Sequence, residues 1–231
     1  MVFPVSPGPD EAASHFIKAM NNAEREDWPY VRWILKDTLP EELCVGVLML
    51  PVKPPDIREC GGVRDLEENN KRRTFFTPQM QKDFPAVRAL VEVFQRGDVA
   101  RQFSKTCNLT AGDLEGSFLR IEYIQDTDGM WLKPHPDITA KLFSMVIYLC
   151  TGPEARNWGT DIYDANQKWV ARGPADFNRA VIFVRSDTTF HGFEKRPIIG
   201  VRRLMEINYV RSDWRDRWQL CLPDKPITLA V

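Results

Sequence analysis

The sequence has no excess charge of either sign: 31 Lys and Arg stand against 32 Asp and Glu. A main partner such as nucleic acid or an anionic membrane would call for a basic surplus, although a local basic patch is compatible with the balance. No uninterrupted apolar run approaches the roughly 20 residues of a membrane span. The 5 cysteines are an odd number, widely spread, with no CxxC pair. That argues against a disulfide framework or a structural zinc site and fits free thiols in a reducing compartment. The opening MVFPVSPGPDEAA lacks a basic segment followed by an apolar core, so it does not read as a signal peptide. A cytoplasmic location is expected. Internal repeats and low-complexity segments are absent. Histidine is the scarcest resource of all, with 3 in 231 residues.

What is present is ordinary for a globular domain, with 43% hydrophobic and 27% charged residues. A chain of this length can bury a core without staples and fits a single domain, residues 1–231. Apolar spacing predicts a helix over residues 10–26 with Ala13, Phe16, Ile17 and Met20 on one face. A short strand follows over residues 30–35. Thr38 offers an N-cap for a helix ending near Pro51. Residues 52–73 mix Pro, Gly and charge, as a long loop does. Thr77-Pro78 starts another helix, and residues 84–103 carry Val87, Leu90, Val91 and Phe94 at core spacing. After Gly112 the texture changes to short runs between turn residues: SFLRIEYI, KLFSMVIYLC, GTDIY, KWVA, RAVIFV, VRRLMEINYV and RWQLCL. Strands at this spacing predict a sandwich or barrel of the jelly-roll type. The class is α+β, a helical part over residues 10–111 and a β body over residues 115–222.

The motif that matters lies in WLKPHPDITAKLFSMVIYL. His135 and Asp137 stand two apart just before an apolar strand, so on extended chain they point the same way and can share one cation. His191 follows 56 residues later, at the end of another predicted strand. Two neutral imidazoles and one carboxylate leave three positions open on a metal. Such a set suits non-haem Fe(II) that also binds a co-substrate and O2. Arg202 and Arg203 come next, and one of them turned inward could hold a carboxylate bidentately.

These residues resemble the Fe(II)- and 2-oxoglutarate-dependent dioxygenases, in particular the prolyl-hydroxylase-like branch. The pattern is His135 and Asp137 as HxD, His191 as the distal histidine, and a basic residue about ten positions on. LRIEYIQDTDGMWLKPHPD, FSMVIYLC and NRAVIFVRSDTTFHGFE are similar to its surroundings, so the resemblance covers residues 118–209. It implies a double-stranded β-helix (jelly-roll, cupin-like) body with N-terminal helices packed on it. It further implies an enzyme that hydroxylates a C–H bond of a small-molecule or peptidyl substrate, using Fe(II), 2-oxoglutarate and O2. His135, Asp137 and His191 are then the metal ligands. Arg202 is the favoured 2-oxoglutarate anchor, because that phase puts Asn208 inward and Tyr209 outward. The family often has a Ser or Thr two residues after this Arg, and Leu204 stands there (Met205 if the anchor is Arg203). Tyr123 or Tyr148 could replace the missing hydroxyl. Related halogenases have a small residue in place of Asp137, so hydroxylation or desaturation is expected rather than halogenation. A barrel that binds a metal or ligand without turnover is the other reading.

Blander assignments go to other polar residues. Arg120 either reaches substrate, as Asn208 could, or pairs with a carboxylate. His15 belongs to its helix. KRRTFF reads as a solvated strand or a substrate lid, residues 52–76 being the lid candidate. WRDRW reads as C-terminal packing, and Asp161 and Asp164 as strand and turn residues.

Overall fold

The computed structural model describes residues 7–56, 60–63 and 72–229. Eleven strands lie among them: β1 (Glu24–Glu26), β2 (Arg32–Leu35), β3 (Arg73–Phe75), β4 (Phe118–Asp126), β5 (Leu132–His135), β6 (Phe143–Tyr148), β7 (Asp161–Tyr163), β8 (Trp169–Arg172), β9 (Ala180–Val184), β10 (His191–Phe193) and β11 (Arg202–Val210). They form a seven-stranded sheet, β1-β2-β9-β6-β11-β4-β3, and a four-stranded sheet, β5-β10-β7-β8, every pair antiparallel. From β4 onward the chain passes back and forth between the sheets, so four strands of each interleave. The fold is a double-stranded β-helix in an α+β chain.

Both faces of the large sheet are covered. Phe143, Met145 and Ile147 of β6, with Met205, Ile207 and Tyr209 of β11, join the helices in one core; Val146, Tyr148 and Leu204 face the small sheet in another. Double cover is why FSMVIY is apolar on both of its faces, Ser144 apart, instead of alternating. The helices are α1 (Pro9–Asn21), α2 (Glu41–Leu48), α3 (Pro78–Asp83), α4 (Pro85–Phe94), α5 (Gly97–Cys107) and α6 (Ala111–Leu114). Phe103 of α5 stacks on Phe143 with ring centroids 4.3 Å apart. Tyr209 donates its hydroxyl to the Phe94 carbonyl at 2.6 Å, so the apolar layer leaves no buried hydroxyl unpaired there.

Several boundaries differ from expectation. The first helix stops at Asn21, where the Asn22 N–H turns back onto the Lys18 carbonyl and the Ala23 N–H onto that of Met20, and Glu24–Glu26 pairs with β2. Thr38 caps nothing; its hydroxyl donates to the Asn178 carbonyl at 3.0 Å, and Pro40 precedes α2. Thr77 does cap α3, accepting from the Met80 N–H. The long helix over residues 84–103 is two helices, broken where Arg96 is extended and its guanidinium grips Asp98 at 2.8 Å. RWQLCL contains a 3-10 turn, Arg217–Gln219, instead of a strand. Of the lid candidate, residues 57–59 and 64–71 lie outside the described residues. All five cysteines are free and buried. Among the described residues no helix is long and apolar enough to cross a membrane.

Candidate active site

β5 is an edge strand despite its proline. The ladder between β5 and β10 shifts register between the His191–His135 and Phe193–Leu132 pairs, and Pro134 falls inside that shift. A residue without an N–H is tolerated at such a bulge. The consequence is that His135 and His191 are direct cross-strand partners, with ring centroids 4.6 Å apart. Gly192 makes the approach possible: a Cβ there would lie 2.7 Å from the Leu132 carbonyl oxygen.

Each imidazole is oriented by its own strand. His135 Nδ1 lies 2.8 Å from the Lys133 carbonyl and His191 Nδ1 lies 3.1 Å from the Thr189 carbonyl. A carbonyl only accepts, so Nδ1 carries the proton in both and Nε2 is the nitrogen with the lone pair. That tautomer, with a backbone partner behind the ring, suits a metal ligand. Asp137 is buried, with Oδ2 3.9 Å from His191 Nε2. Its carboxylate also accepts from Lys141 Nζ at 2.9 Å and from Ser144 Oγ at 2.6 Å. Among the described residues no trio of His, Cys, Asp or Glu is drawn together as a closed metal group. In donor type and tautomer the three side chains, two imidazoles presenting Nε2 and one carboxylate, nevertheless fit a divalent cation.

Arg202 opens β11 opposite Asp126, the last residue of β4. Both Arg202 and Arg72 donate to the Asp126 carboxylate. Arg202 Nε also donates to the Trp158 carbonyl at 2.6 Å, and its guanidinium lies 4.3 Å from the Phe193 ring centre. Tyr148 is beside it, sharing a 2.6 Å hydrogen bond with the Thr160 hydroxyl and accepting the Thr160 N–H at 2.9 Å. Burial pushes the Tyr148 phenol up, with Arg202 working against it, so it remains a neutral hydroxyl. A cavity of about 50 Å³ lies between the sheets, lined by Arg72, Arg202, Thr160, Glu206 and both histidines.

Buried charged groups gather near this cavity. At one end two guanidiniums, Arg72 and Arg202, share one carboxylate. At the other, beside the histidines, Lys141 lies between Asp137 and Glu206. An anion is favoured beside the two guanidiniums. Outside the histidines, a groove of about 890 Å³ runs past Lys133, His135, Lys141, Trp214 and Arg73.

His135, His191 and Arg202 line the same cavity between the sheets, with Asp137 beside His191 and Tyr148 beside Arg202. Tyr123 is not among them. It faces the helices, in the core with Met205, and its hydroxyl lies 3.5 Å from Gln125 Nε2. The same alternation puts Arg203 on the far side from Arg202. Arg120 is fully buried and bound to Glu122 at 3.0 and 3.1 Å, to Asn208 at 2.8 Å and to Gln219 at 3.0 Å. Arg120 is thus paired with a carboxylate. Asn208 shares Arg202's face of β11 but spends its amide on Ser144 and the Phe143 carbonyl. Arg72, Asp126 and Thr160 were not anticipated; nothing in their local sequence marks them, since their partners are brought by pairing of distant strands. His15 sits on α1 against the Asp37 carbonyl at 2.8 Å.

No protein-family model matches the chain, and no curated protein matches it in sequence. Solved structures do match in fold. A prolyl 4-hydroxylase from Phytophthora capsici superposes with a TM-score of 0.60 at 12% identity, over 92% of this chain and 69% of its own. A prolyl hydroxylase from Trichoplax adhaerens, in complex with a hypoxia inducible factor oxygen degradation domain peptide fragment, gives 0.55 at 12% identity over 87% and 90%. A 2OG-Fe(II) oxygenase family oxidoreductase from Burkholderia pseudomallei gives 0.51 at 12% identity over 90% and 92%. The chain is similar to these proteins in its fold, that of the 2-oxoglutarate- and Fe(II)-dependent oxygenases.

Proposed function

We propose that the protein is an Fe(II)- and 2-oxoglutarate-dependent oxygenase that hydroxylates a C–H bond of a small-molecule or peptidyl substrate. The observation that carries this reading is a grouping inside the β-helix: two Nε2-presenting imidazoles, with the Asp137 carboxylate beside them, lie across one cavity from two arginines. His135, Asp137 and His191 would hold the metal, and Arg202 the far carboxylate of 2-oxoglutarate, with Tyr148 beside it. Fe(II), when bound, supplies O2 activation coupled to conversion of 2-oxoglutarate to succinate and CO2. The chain's own part is to orient and to exclude water. Lys133 and Thr189 carbonyls fix the rings, Phe183 packs 4.6 Å from the His191 ring centre, and Ser144 and Lys141 hold the carboxylate. The substrate would lie in the groove outside the histidines. With Asp137 filling a ligand position, the product is hydroxylated or desaturated, and none is chlorinated in the presence of chloride.

A second reading draws on one observation: Asp137 and Arg202 are each already paired within the protein, to Lys141 and to Asp126. That pairing suits a binding barrel without turnover. The two readings part on one experiment. Purified protein given Fe(II), 2-oxoglutarate and O2 should form succinate. His135→Ala, Asp137→Ala and His191→Ala should each abolish it while circular dichroism stays that of the wild type, and His15→Ala should leave it intact. Arg202→Ala should weaken 2-oxoglutarate binding by roughly 1.5–3 kcal/mol, the value of a charge-assisted hydrogen bond. Wild-type protein that binds the metal and forms no succinate, with or without candidate substrates, would establish the binding barrel instead.

A further inference from the structure

Arg72 is harder to explain than Arg202. It stands just before β3, on the far edge strand of the large sheet, yet its guanidinium reaches the cavity between the sheets. Its exposure is only 5%. One terminal nitrogen donates to Asp126, while its Nε, buried, has no hydrogen-bond partner among the described residues. Asp126 is already engaged by Arg202 through its other oxygen. Burying a second guanidinium against a carboxylate that one arginine already neutralises costs more than the shared pair returns. A buried N–H donor without an acceptor adds to that cost. The arrangement is accounted for if another carboxylate enters. The space is suitable: about 50 Å³, where a water's share of the liquid is about 30 Å³, admits a carboxylate group.

We propose that Arg72 is a second anchor for the far carboxylate of the co-substrate, donating its Nε–H to the group that Arg202 also holds. The inference rests on the 2-oxoglutarate reading above. Two guanidiniums, one from β11 and one from the approach to β3, then converge on a single anion. Asp126 holds both in place and offsets one of their charges. Arg72 acts on the end of the co-substrate remote from the metal, so its contribution is to binding and to the choice of a dicarboxylate over a monocarboxylate.

The test is calorimetric, on the full chain in O2-free buffer with Mn(II) in place of Fe(II). 2-Oxoglutarate is compared with 2-oxobutanoate, which keeps the oxo-acid end and lacks the far carboxylate. Arg72→Gln should raise the Kd for 2-oxoglutarate roughly ten- to hundred-fold, with less than about a twofold change for 2-oxobutanoate. Arg72→Lys should fall between, because an ammonium restores the charge and not the fork. It also carries the test if the glutamine variant fails to fold. If Arg72→Lys and Arg72→Gln bind 2-oxoglutarate like the wild type while Arg202→Ala binds it weakly, Arg72 is only a structural partner of Asp126 and the proposal falls. An equal loss for both ligands would overturn it too, since that reports a damaged site rather than a lost carboxylate anchor. If the wild type itself binds no 2-oxoglutarate, the oxygenase reading fails and this inference fails with it.

Discussion

At the scale of single residues, Asp161, outside the candidate site, is a heavily used carboxylate. It accepts from Trp169 Nε1 at 3.1 Å, Arg172 Nε at 3.0 Å, the Glu194 N–H at 2.7 Å and Arg196 at 2.6 Å, and is fully buried. Removing it strands two guanidiniums, so Asp161→Ala should cost about 3–5 kcal/mol in denaturant unfolding at neutral pH. Burial, the largest single influence, raises its pKa, but the Glu194 N–H, Arg196 and Trp169 together outweigh it and hold the carboxyl below its ordinary 3.8. A carboxyl depressed in the folded state contributes its stability above the unfolded value and loses it as pH falls through the folded one. The gap between wild type and variant should therefore stay constant from about pH 7 to 5 and shrink below about pH 4. A gap that widens in acid would contradict this. Two-residue spacing on extended chain placed His135 and Asp137 on one side of it, a property of the chain itself, whereas His191 and Arg202 were picked out by the resemblance to a known pattern. Tyr123 was misplaced for want of register. Its Cα partner on β11 is Met205, which faces the helices, and no local pattern reveals which residue a strand will pair with.

At the scale of elements, the site depends on how closely β5 and β10 approach. Gly192→Ala would set a Cβ 2.7 Å from the Leu132 carbonyl oxygen and 3.0 Å from that of Lys133. The backbone of β5 would have to move, taking His135 away from His191. Overpacking of this kind costs roughly 1–3 kcal/mol. The expected result is a lower Tm together with faster amide exchange confined to β5 and β10; a variant with the wild-type Tm and exchange would show that the strands have slack. Neither strand was read as such from the sequence. β5 is four residues long and contains Pro134, and β10 is three residues long beside a glycine. Both lack the apolar run that identified β6, β9 and β11. The helices were easier to see than to delimit: the break between α4 and α5 falls at extended Arg96 and Gly97, while the apolar spacing runs on through it.

At the scale of the molecule, the large sheet divides the labour. Its helix-facing side carries the bulk of the apolar core, and its other side carries the buried charges and, across the gap, the histidines. The partition into helices first and strands second was legible because periodicity changes after Gly112. The interleaving of the two sheets was not, since it follows from pairings far apart in sequence. One feature of the small sheet reaches beyond the single molecule. β5 lies at its edge, and residues 60–63 lie along it: Lys133 N–H donates to the Gly62 carbonyl at 3.0 Å, and Trp131 N–H to Cys60 Sγ at 3.0 Å. An open strand edge recruits strands from other copies, and a covered one does not. Gly62 has φ +68 and packs so closely on Trp131 that a Cβ would meet its ring at 2.3 Å. Gly62→Val should lift the cover, leave the β-helix folded, and lower the temperature at which light scattering reports self-association. An unchanged scattering onset would mean that β5 is protected by its brevity alone. On this view the glycine pair that seats residues 60–63 against the histidine-bearing strand also keeps one copy of the protein from templating onto the next.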